Sequence, residues 1–383
     1  MTRTTPWKFL AIAAASTFAA PAKAAALTVV LGTSAAATGP RGPVGQDFNN
    51  GVILAVEDLN RQHLRIGGRD VVWKLIVEDD QGDPRQAAVV AQKFIDSKVA
   101  GVIGPDTSGA SYATVRLFDA AGVPMIAAAS TDTRLAHMGS KTFFRVIGDD
   151  AGVAAAMANY LESDLHVHTV ATIDDRTAYG QGLADAFARA AKARGMRVVG
   201  REYTNDKATD FSAILTRLRG LQPEAIVYGG TFAQAAPLLR QVERLGLTSV
   251  VLGGDGACVQ GLARMAGPAV RRMVCVDSGL PLERMPSGAD WKRRYDSRFG
   301  AEAFQAYSPY AYDATMVLAQ AILRAGSSDP AKFLPMLRST DYSGISREHL
   351  RFLPNGNLAH PDVTISIYRE GVKVPLRVQA EGS

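Results

Sequence analysis

Residues 100–131, AGVIGPDTSGASYATVRLFDAAGVPMIAAAST, place an alanine-rich amphipathic segment between two short apolar runs. The apolar runs at 100–103 and 124–128 predict β-strands, and the segment at 108–121 predicts a helix. Alternation of this kind is typical of proteins in which helices connect parallel strands. The stretch therefore predicts an α/β fold built on parallel sheets.

The same alternation continues through the rest of the chain. Nearer the N-terminus it predicts strands and helices in turn at 27–31, 44–60, 71–77 and 84–97. It restarts after 143–146 and continues up to a strand at 363–368. With 383 residues, of which 47% are hydrophobic, the chain is long enough for two buried cores. We therefore predict two similar α/β lobes.

The first 24 residues have the features of an export signal. Arg3 and Lys8 precede an apolar stretch at 9–20, and Ala22-Lys23-Ala24 supplies the small-x-small pattern of a cleavage site. The apolar stretch is far shorter than the roughly 20 residues that span a bilayer. No cysteine lies near the cleavage site to carry a lipid anchor. We therefore predict a cleaved signal peptide over 1–24 and an exported mature protein.

The charge pattern and the two cysteines narrow the class of protein only in part. The net charge of +5 comes from basic residues scattered among acidic ones, which argues against nucleic-acid binding. Export allows Cys258 and Cys275 to oxidise. A disulfide and two buried free thiols both remain open, because a chain of this length does not need a covalent link.

Two of the loops that follow predicted strands are rich in polar residues. Ligands bind beyond the carboxyl ends of parallel strands, so these loops are the first candidates for a site. One loop leads from Gly104 to Ser108, and the next runs from Ala129 to Thr131. The hydroxyls of Ser108 and Thr131, beside helix N-terminal amides, would bind a carboxylate. The alternative is that both residues only cap helices.

Several short motifs, taken together, resemble the periplasmic leucine/isoleucine/valine-binding protein family. They follow that family's order and spacing over essentially the whole mature chain: VIG at 102–104, TS at 107–108, IAAAST at 126–131, YGQG at 179–182, YGG at 228–230 and GGDG at 253–256. The resemblance implies a type I periplasmic binding fold, in which two Rossmann-like lobes with parallel sheets are joined by three hinge crossovers. The crossovers are expected near 145–148, 274–278 and 357–363. The expected N-terminal lobe comprises 25–146 plus 277–359, and the C-terminal lobe comprises 147–276 plus 360–383.

The resemblance also implies roles for individual residues. Ser108 matches the family's serine that holds the ligand carboxylate, and Thr131 matches the threonine that contacts both carboxylate and ammonium. Ala129 offers backbone groups beside them, with Ser130 as a further contact. Asp255 falls where the family places an acidic residue against the ligand ammonium, a charge-assisted contact that suits a closed cleft.

The side-chain pocket is expected to differ from that of the leucine-binding proteins. Val44 and Thr231 stand where those proteins carry aromatic residues. Loss of the rings would enlarge the pocket and admit other ligands. Phe232 and Tyr307 either refill that space or belong to the core. Tyr179 matches a tyrosine that the second lobe lays over the ligand on closure.

Signatures of the common enzyme classes are absent from the sequence, which contains no Gly-x-Ser-x-Gly, Walker or His-Glu-x-x-His motif. His166 and His168 have the spacing of metal ligands on one face of a strand, but no third ligand accompanies them. We expect a protein that is not an enzyme and that needs neither a cofactor nor a metal.

The resemblance implies a periplasmic solute-binding protein of an ABC importer. It would capture a branched-chain or related amino acid by hinge closure, as a monomer, and present it to a permease in the inner membrane. Two alternatives on the same fold are a periplasmic sensor that signals to a separate membrane kinase, and a binder of amides, urea or aromatic carboxylates.

Overall fold

The computed structural model describes residues 1–2 and 25–380 of the chain. Nearly all of the predicted signal peptide, residues 1–24, therefore lies outside the described residues. Within the described ranges, no helix combines the length and the apolar character needed to cross a membrane.

A six-stranded sheet occupies the first part of the chain. Its strands are β1 (Leu27–Ala35), β2 (Arg65–Ile66), β3 (Arg69–Asp79), β4 (Gly101–Ile103), β5 (Met125–Ala127) and β6 (Phe143–Arg145). They lie in the order β2-β3-β1-β4-β5-β6, and all pairs are parallel except that of the short edge strand β2 with β3. The predicted parallel α/β architecture is confirmed.

A seven-stranded sheet follows, with a mixed edge. Its strands are β7 (Thr169–Asp174), β8 (Arg197–Tyr203), β9 (Ala225–Gly229), β10 (Val250–Gly254), β11 (Met273–Ser278), β12 (Asp362–Arg369) and β13 (Val372–Ala380). Their order is β13-β12-β11-β10-β9-β7-β8, with β12 and β13 antiparallel to their neighbours. Sequence reasoning missed β13, because this strand is half exposed and contains Pro375, so that it has neither a continuous apolar run nor a clear alternation.

Helices connect the strands and cover both sheets. Within the described residues they are α1 (Gly42–Arg61), α2 (Pro84–Asp96), α3 (Ser108–Ala121), α4 (Asp150–Asn159), α5 (Ala178–Ala193), α6 (Ser212–Leu221), α7 (Phe232–Arg244), α8 (Gly261–Ala266), α9 (Gly288–Phe299), α10 (Ser308–Ala325) and α11 (Pro330–Arg338). Although α10 comes late in the chain, it packs against α1 beside the first sheet. Residues from both ends of the sequence therefore build the first layer.

Helix α3 has the bounds that were predicted for it, and its ends show why. The hydroxyl of Thr107 accepts a hydrogen bond from the amide of Ala110 at 3.3 Å and caps the N-terminus. Gly122 takes a left-handed conformation at φ +69° and ends the helix. The start of α3 thereby lies at the carboxyl edge of the first sheet.

Three connections join the two sheets, in the regions where crossovers were predicted. The side chain of Arg145, at the end of β6, is fully buried and donates to Asn357 Oδ1 at 2.7 Å. Its guanidinium also lies 3.3 Å from Asp149 Oδ2, which accepts from Asn357 Nδ2 at 3.1 Å. The amide of Gly279 donates to the carbonyl of Asp362 at 2.6 Å. The first and third connections are thus bonded together, and so are the second and third.

Candidate functional site

The hydroxyls of Ser108 and Thr131 are both buried and lie on adjacent loops at the edge of the first sheet. Ser108 Oγ accepts from the amide of Asp132 at 3.3 Å, which leaves its own O–H available as a donor. Thr131 Oγ1 has no hydrogen-bond partner among the described residues. Buried polar atoms are nearly always bonded, so an unpartnered hydroxyl here points to a missing ligand group.

The alternative that Ser108 and Thr131 serve only as helix caps is wrong. Thr107 caps α3, and Asp132 caps the short helix Thr133–His137 by accepting from the amide of Arg134 at 2.8 Å. The capping positions are therefore filled by the neighbouring residues.

Ala129 and Ser130 lie on the same loop as Thr131 but contribute differently. The hydroxyl of Ser130 is 2.6 Å from that of Ser111 and donates to the carbonyl of Pro105 at 3.0 Å. It is fully buried and faces the interior of the first lobe. Ser130 therefore has no free hydroxyl for a ligand, and Ala129, with its small buried side chain, can contribute only main-chain groups and close contact.

Asp255 lies between two tyrosine hydroxyls that come from different parts of the fold. Tyr179, in α5, donates to Asp255 Oδ1 at 3.1 Å, and Tyr307, directly before α10, donates to Oδ2 at 3.1 Å. Asp255 is only 5% exposed. Burial, with the nearby charge of Asp277, raises the pKa of Asp255 to about 6. The carboxylate is therefore held in place but lacks a full positive charge beside it.

The glycines on either side of Asp255 make room for Tyr179. A Cβ atom at Gly256 would lie 2.7 Å from the ring of Tyr179, and one at Gly254 would lie 2.7 Å from its hydroxyl. The Tyr179 hydroxyl also accepts from the amide of Gly256 at 3.1 Å. The Gly-Asp-Gly sequence thus allows the tyrosine to reach the carboxylate that it orients.

A second buried carboxylate, Asp150, lies beside this group and was missed by sequence reasoning. It is the first residue of α4 and is 1% exposed, and neither of its oxygens has a hydrogen-bond partner among the described residues. Burial, followed by the charge of Asp255, raises its pKa well above the usual value. The signal was the pair Asp149-Asp150 before a helix, because Asp149 alone provides the cap.

Tyr307 is held in position by another residue that the sequence did not reveal. Asp47, in α1, accepts hydrogen bonds from the amides of Ala306 and Tyr307 at 2.9 Å and from the hydroxyl of Ser308 at 2.5 Å. Tyr295 donates to the same carboxylate at 2.8 Å. Asp47 therefore anchors the start of α10 and orients the Tyr307 ring.

Arg41 brings positive charge to the mouth of the site. Its Nη2 lies 3.1 Å from Asp106 Oδ2, on the loop that leads to Ser108, and its Nε has no partner among the described residues. Burial alone would lower the pKa of Arg41, but the charge of Asp106 outweighs burial and raises it, with Tyr307 and Tyr179 adding to the effect. The guanidinium therefore stays charged.

Val44, Thr231 and Phe232 do not open a pocket where the family carries aromatic rings. Val44 is fully buried in the core, and the hydroxyl of Thr231 donates to Gln234 Oε1 at 2.8 Å. Phe232 is 4% exposed and lies against Gly261 in the core. Instead, a cavity of about 540 Å³ lies on the hinge side of Asp255 and Tyr307.

A disulfide between Cys258 and Cys275 resolves the question that the sequence left open. It ties the loop after β10 to strand β11. The amide of Cys258 donates to the carbonyl of Asp255 at 3.1 Å, and its own carbonyl accepts from Lys373 Nζ at 2.8 Å. The loop that presents Asp255 is therefore fixed on two sides.

Comparison with known proteins agrees with this arrangement of two sheets and a polar site between them. A family model described as periplasmic binding protein matches residues 28–368. The chain belongs to this family. Its members bind substrates for transporters, so the protein is a periplasmic solute-binding protein and not an enzyme.

Individual relatives place the chain near the branched-chain amino acid binders of that family. It is 31% identical to an amino acid binding protein of Pseudomonas aeruginosa, over 81% of this chain and 82% of that one. It is 30% identical to Leu/Ile/Val-binding protein homolog 1 of Brucella suis, over 86% of each chain. The crystal structure of the leucine binding protein LivK from Thermotoga maritima superposes with a TM-score of 0.84 at 28% identity, covering 91% of this chain and 98% of that one.

Proposed function

We propose that this protein captures an α-amino acid between its two lobes and delivers it to an ABC importer in the inner membrane. The observation that carries the proposal is the set of unpartnered buried groups around one space, namely Thr131 Oγ1 and both oxygens of Asp150, beside the raised-pKa carboxylate of Asp255. Hydroxyl donors on one side and carboxylates on the other are complementary to an amino acid zwitterion.

Each end of the zwitterion has its own partners in this proposal. The ligand carboxylate accepts from the hydroxyls of Ser108 and Thr131 at the N-terminus of α3, with the guanidinium of Arg41 adding attraction. The ammonium lies between Asp255 and Asp150, where it supplies the positive charge that both carboxylates lack. A ligand without an ammonium would leave two buried acidic groups facing each other.

Binding is proposed to close the hinge. We propose lobes of 25–146 plus 277–359 and of 147–276 plus 360–383, with the ligand docking first on Ser108 and Thr131. Contacts between the two parts support closure: Arg134 Nη2 donates to the carbonyl of Ala178 at 3.2 Å, and the amide of Gly261 donates to Gln305 Oε1 at 3.1 Å. Because the ligand touches both lobes, it favours the closed form, which a permease would recognise on a monomer in the periplasm.

A thermal-shift panel on the mature protein tests the proposal. We expect one or more α-amino acids to raise the melting temperature, and matched carboxylates that lack the amine to have no effect. Asp255→Ala should abolish the shift, whereas Asp206→Ala, which removes an exposed acid of the same lobe, should leave it intact. A shift produced by the amine-free carboxylates but not by amino acids would refute the ammonium assignment.

A further inference from the structure

The cavity of about 540 Å³ is a second compartment that adjoins the proposed amino acid site. Asp255 and Tyr307 form part of its wall, and Ser108, Thr131 and Tyr179 do not. Its size lies within the roughly 300–1,000 Å³ of ordinary ligand pockets. Because the two spaces share Asp255, a ligand whose ammonium rests on this carboxylate has the cavity directly beside it.

The far wall of the cavity carries a polar group without a partner. Ser278, at the end of β11, lines the cavity and is 4% exposed, and its Oγ forms no hydrogen bond with any described residue. The neighbouring hydroxyl of Thr364 is occupied, since it donates to the carbonyl of Gly279 at 2.7 Å. Ser278 therefore offers a donor and an acceptor to whatever fills the cavity.

The charged groups of the wall are already paired, apart from the exposed Glu283. Lys373 Nζ lies 2.7 Å from Asp277 Oδ2, and Lys292 Nζ lies 2.6 Å from Asp296 Oδ2. Arg264 lies 2.5 Å from Glu302. An ion of either sign placed beside these pairs would lose its hydration without gaining a counter-ion of its own, which is unfavourable. A neutral group that both donates and accepts meets no such cost.

We propose that the ligand's side chain extends past Asp255 and Tyr307 into this cavity and ends in a neutral hydrogen-bonding group. The preferred ligand is then an α-amino acid with a long, uncharged polar side chain, such as a carboxamide or a ureido group, and not a branched aliphatic one. An aliphatic chain would cover Ser278 and leave its hydroxyl unbonded. The inference rests on the proposed capture of an amino acid and specifies its side chain.

Titration calorimetry on the mature protein with five amino acids tests this inference. We expect glutamine or citrulline to bind at least about tenfold more tightly than leucine, which corresponds to one good hydrogen bond. Arginine should bind more weakly than citrulline, which differs from it mainly in charge. Alanine serves as the short probe that does not enter the cavity. Tighter binding of leucine or arginine would overturn the inference while leaving amino acid capture intact.

Two variants separate the cavity from the zwitterion site. Ala263→Phe, from α8, fills the cavity and should abolish the preference for long ligands with little change for alanine. Ala331→Phe, at an exposed start of α11, is its matched control. Ser278→Ala adds no bulk and should weaken glutamine or citrulline about tenfold, again without affecting alanine. Unchanged selectivity in Ser278→Ala contradicts the inference even if Ala263→Phe fails to fold. Loss of alanine binding in the unmodified protein contradicts the proposed function instead.

Discussion

The hydroxyl of Tyr307 donates to Asp255 Oδ2 at 3.1 Å and thereby connects the start of α10 to the loop after β10. Tyr307 is held by Asp47 beside the first sheet, whereas Asp255 is held by Tyr179 beside the second. A hydrogen bond between groups on opposite lobes forms only when the lobes approach each other. It therefore belongs to the closed form, and both of its partners also face the ligand.

Tyr307→Phe is expected to weaken closure while keeping the ring. Removal of one hydrogen-bond partner from a buried carboxylate costs about 1–3 kcal/mol, so amino acid affinity should fall by roughly five- to a hundredfold. Tyr160→Phe, a half-buried tyrosine on the other side of α4, is the control and should bind normally. Affinity is measured by calorimetry. If Tyr307→Phe binds as tightly as the unmodified protein, the bond plays no part in closure.

Asp255→Asn tests the charge of the carboxylate with almost no change in shape. Loss of one partner from a buried charge pair costs about 2–5 kcal/mol, so the dissociation constant should rise at least about thirtyfold. The stability of the ligand-free protein should not fall, because a buried carboxylate without a counter-ion is removed. A dissociation constant within threefold of the original would show that the ammonium lies elsewhere.

The fold was accessible from the sequence because its signals are local. Helix α3 was predicted with its observed bounds, since a capping threonine, an amphipathic segment and a terminal glycine all lie within 107–122. Strand β13 was missed because its partner β12 and the sheet edge, not its own side chains, determine its conformation.

The candidate site was accessible only in part, because the remaining information is tertiary. Ser108, Thr131 and Asp255 follow strands and match family motifs. Asp150 looked like a second helix-capping acid, and only the structure shows that both of its oxygens are buried beside Asp255 without partners. The cavity near Ser278 arises from segments that are distant in sequence, so no local pattern indicates it.

The raised pKa values predict that the ligand-free protein loses stability as pH rises. Burial raises the pKa of Asp255 from 3.8 to about 6, so between these values the folded state keeps a proton that the unfolded state has lost. The carboxyl therefore has no effect below pH 4, and by pH 6 it lowers the free energy of unfolding by about 3 kcal/mol. Asp150, whose pKa is also raised, acts in the same direction.

Chemical denaturation at pH 4 and pH 7 measures this effect. Asp255→Asn and Asp150→Asn should match the unmodified protein at pH 4 and exceed it in stability at pH 7. Because an ammonium favours the ionised carboxylates, amino acid binding should tighten from pH 5 to pH 7 and release protons. Calorimetry in buffers of different ionisation enthalpy detects the release. Binding without proton uptake or release at pH 6 would mean that neither carboxylate contacts the ligand.

Removal of the disulfide is expected to affect ligand affinity as well as stability. Cys258 and Cys275 are 17 residues apart, and a crosslink over such a loop contributes about 3 kcal/mol to the free energy of unfolding. Its loss also frees the loop that carries Asp255, which would then be ordered only when ligand binds. The double variant Cys258→Ala/Cys275→Ala should therefore unfold at lower denaturant and bind amino acids more weakly. A reducing agent should reproduce both effects in the unmodified protein and change neither in the double variant. If stability falls but the dissociation constant stays within twofold, the disulfide supports the fold and the hydrogen bonds of Tyr179 and Tyr307 alone position Asp255.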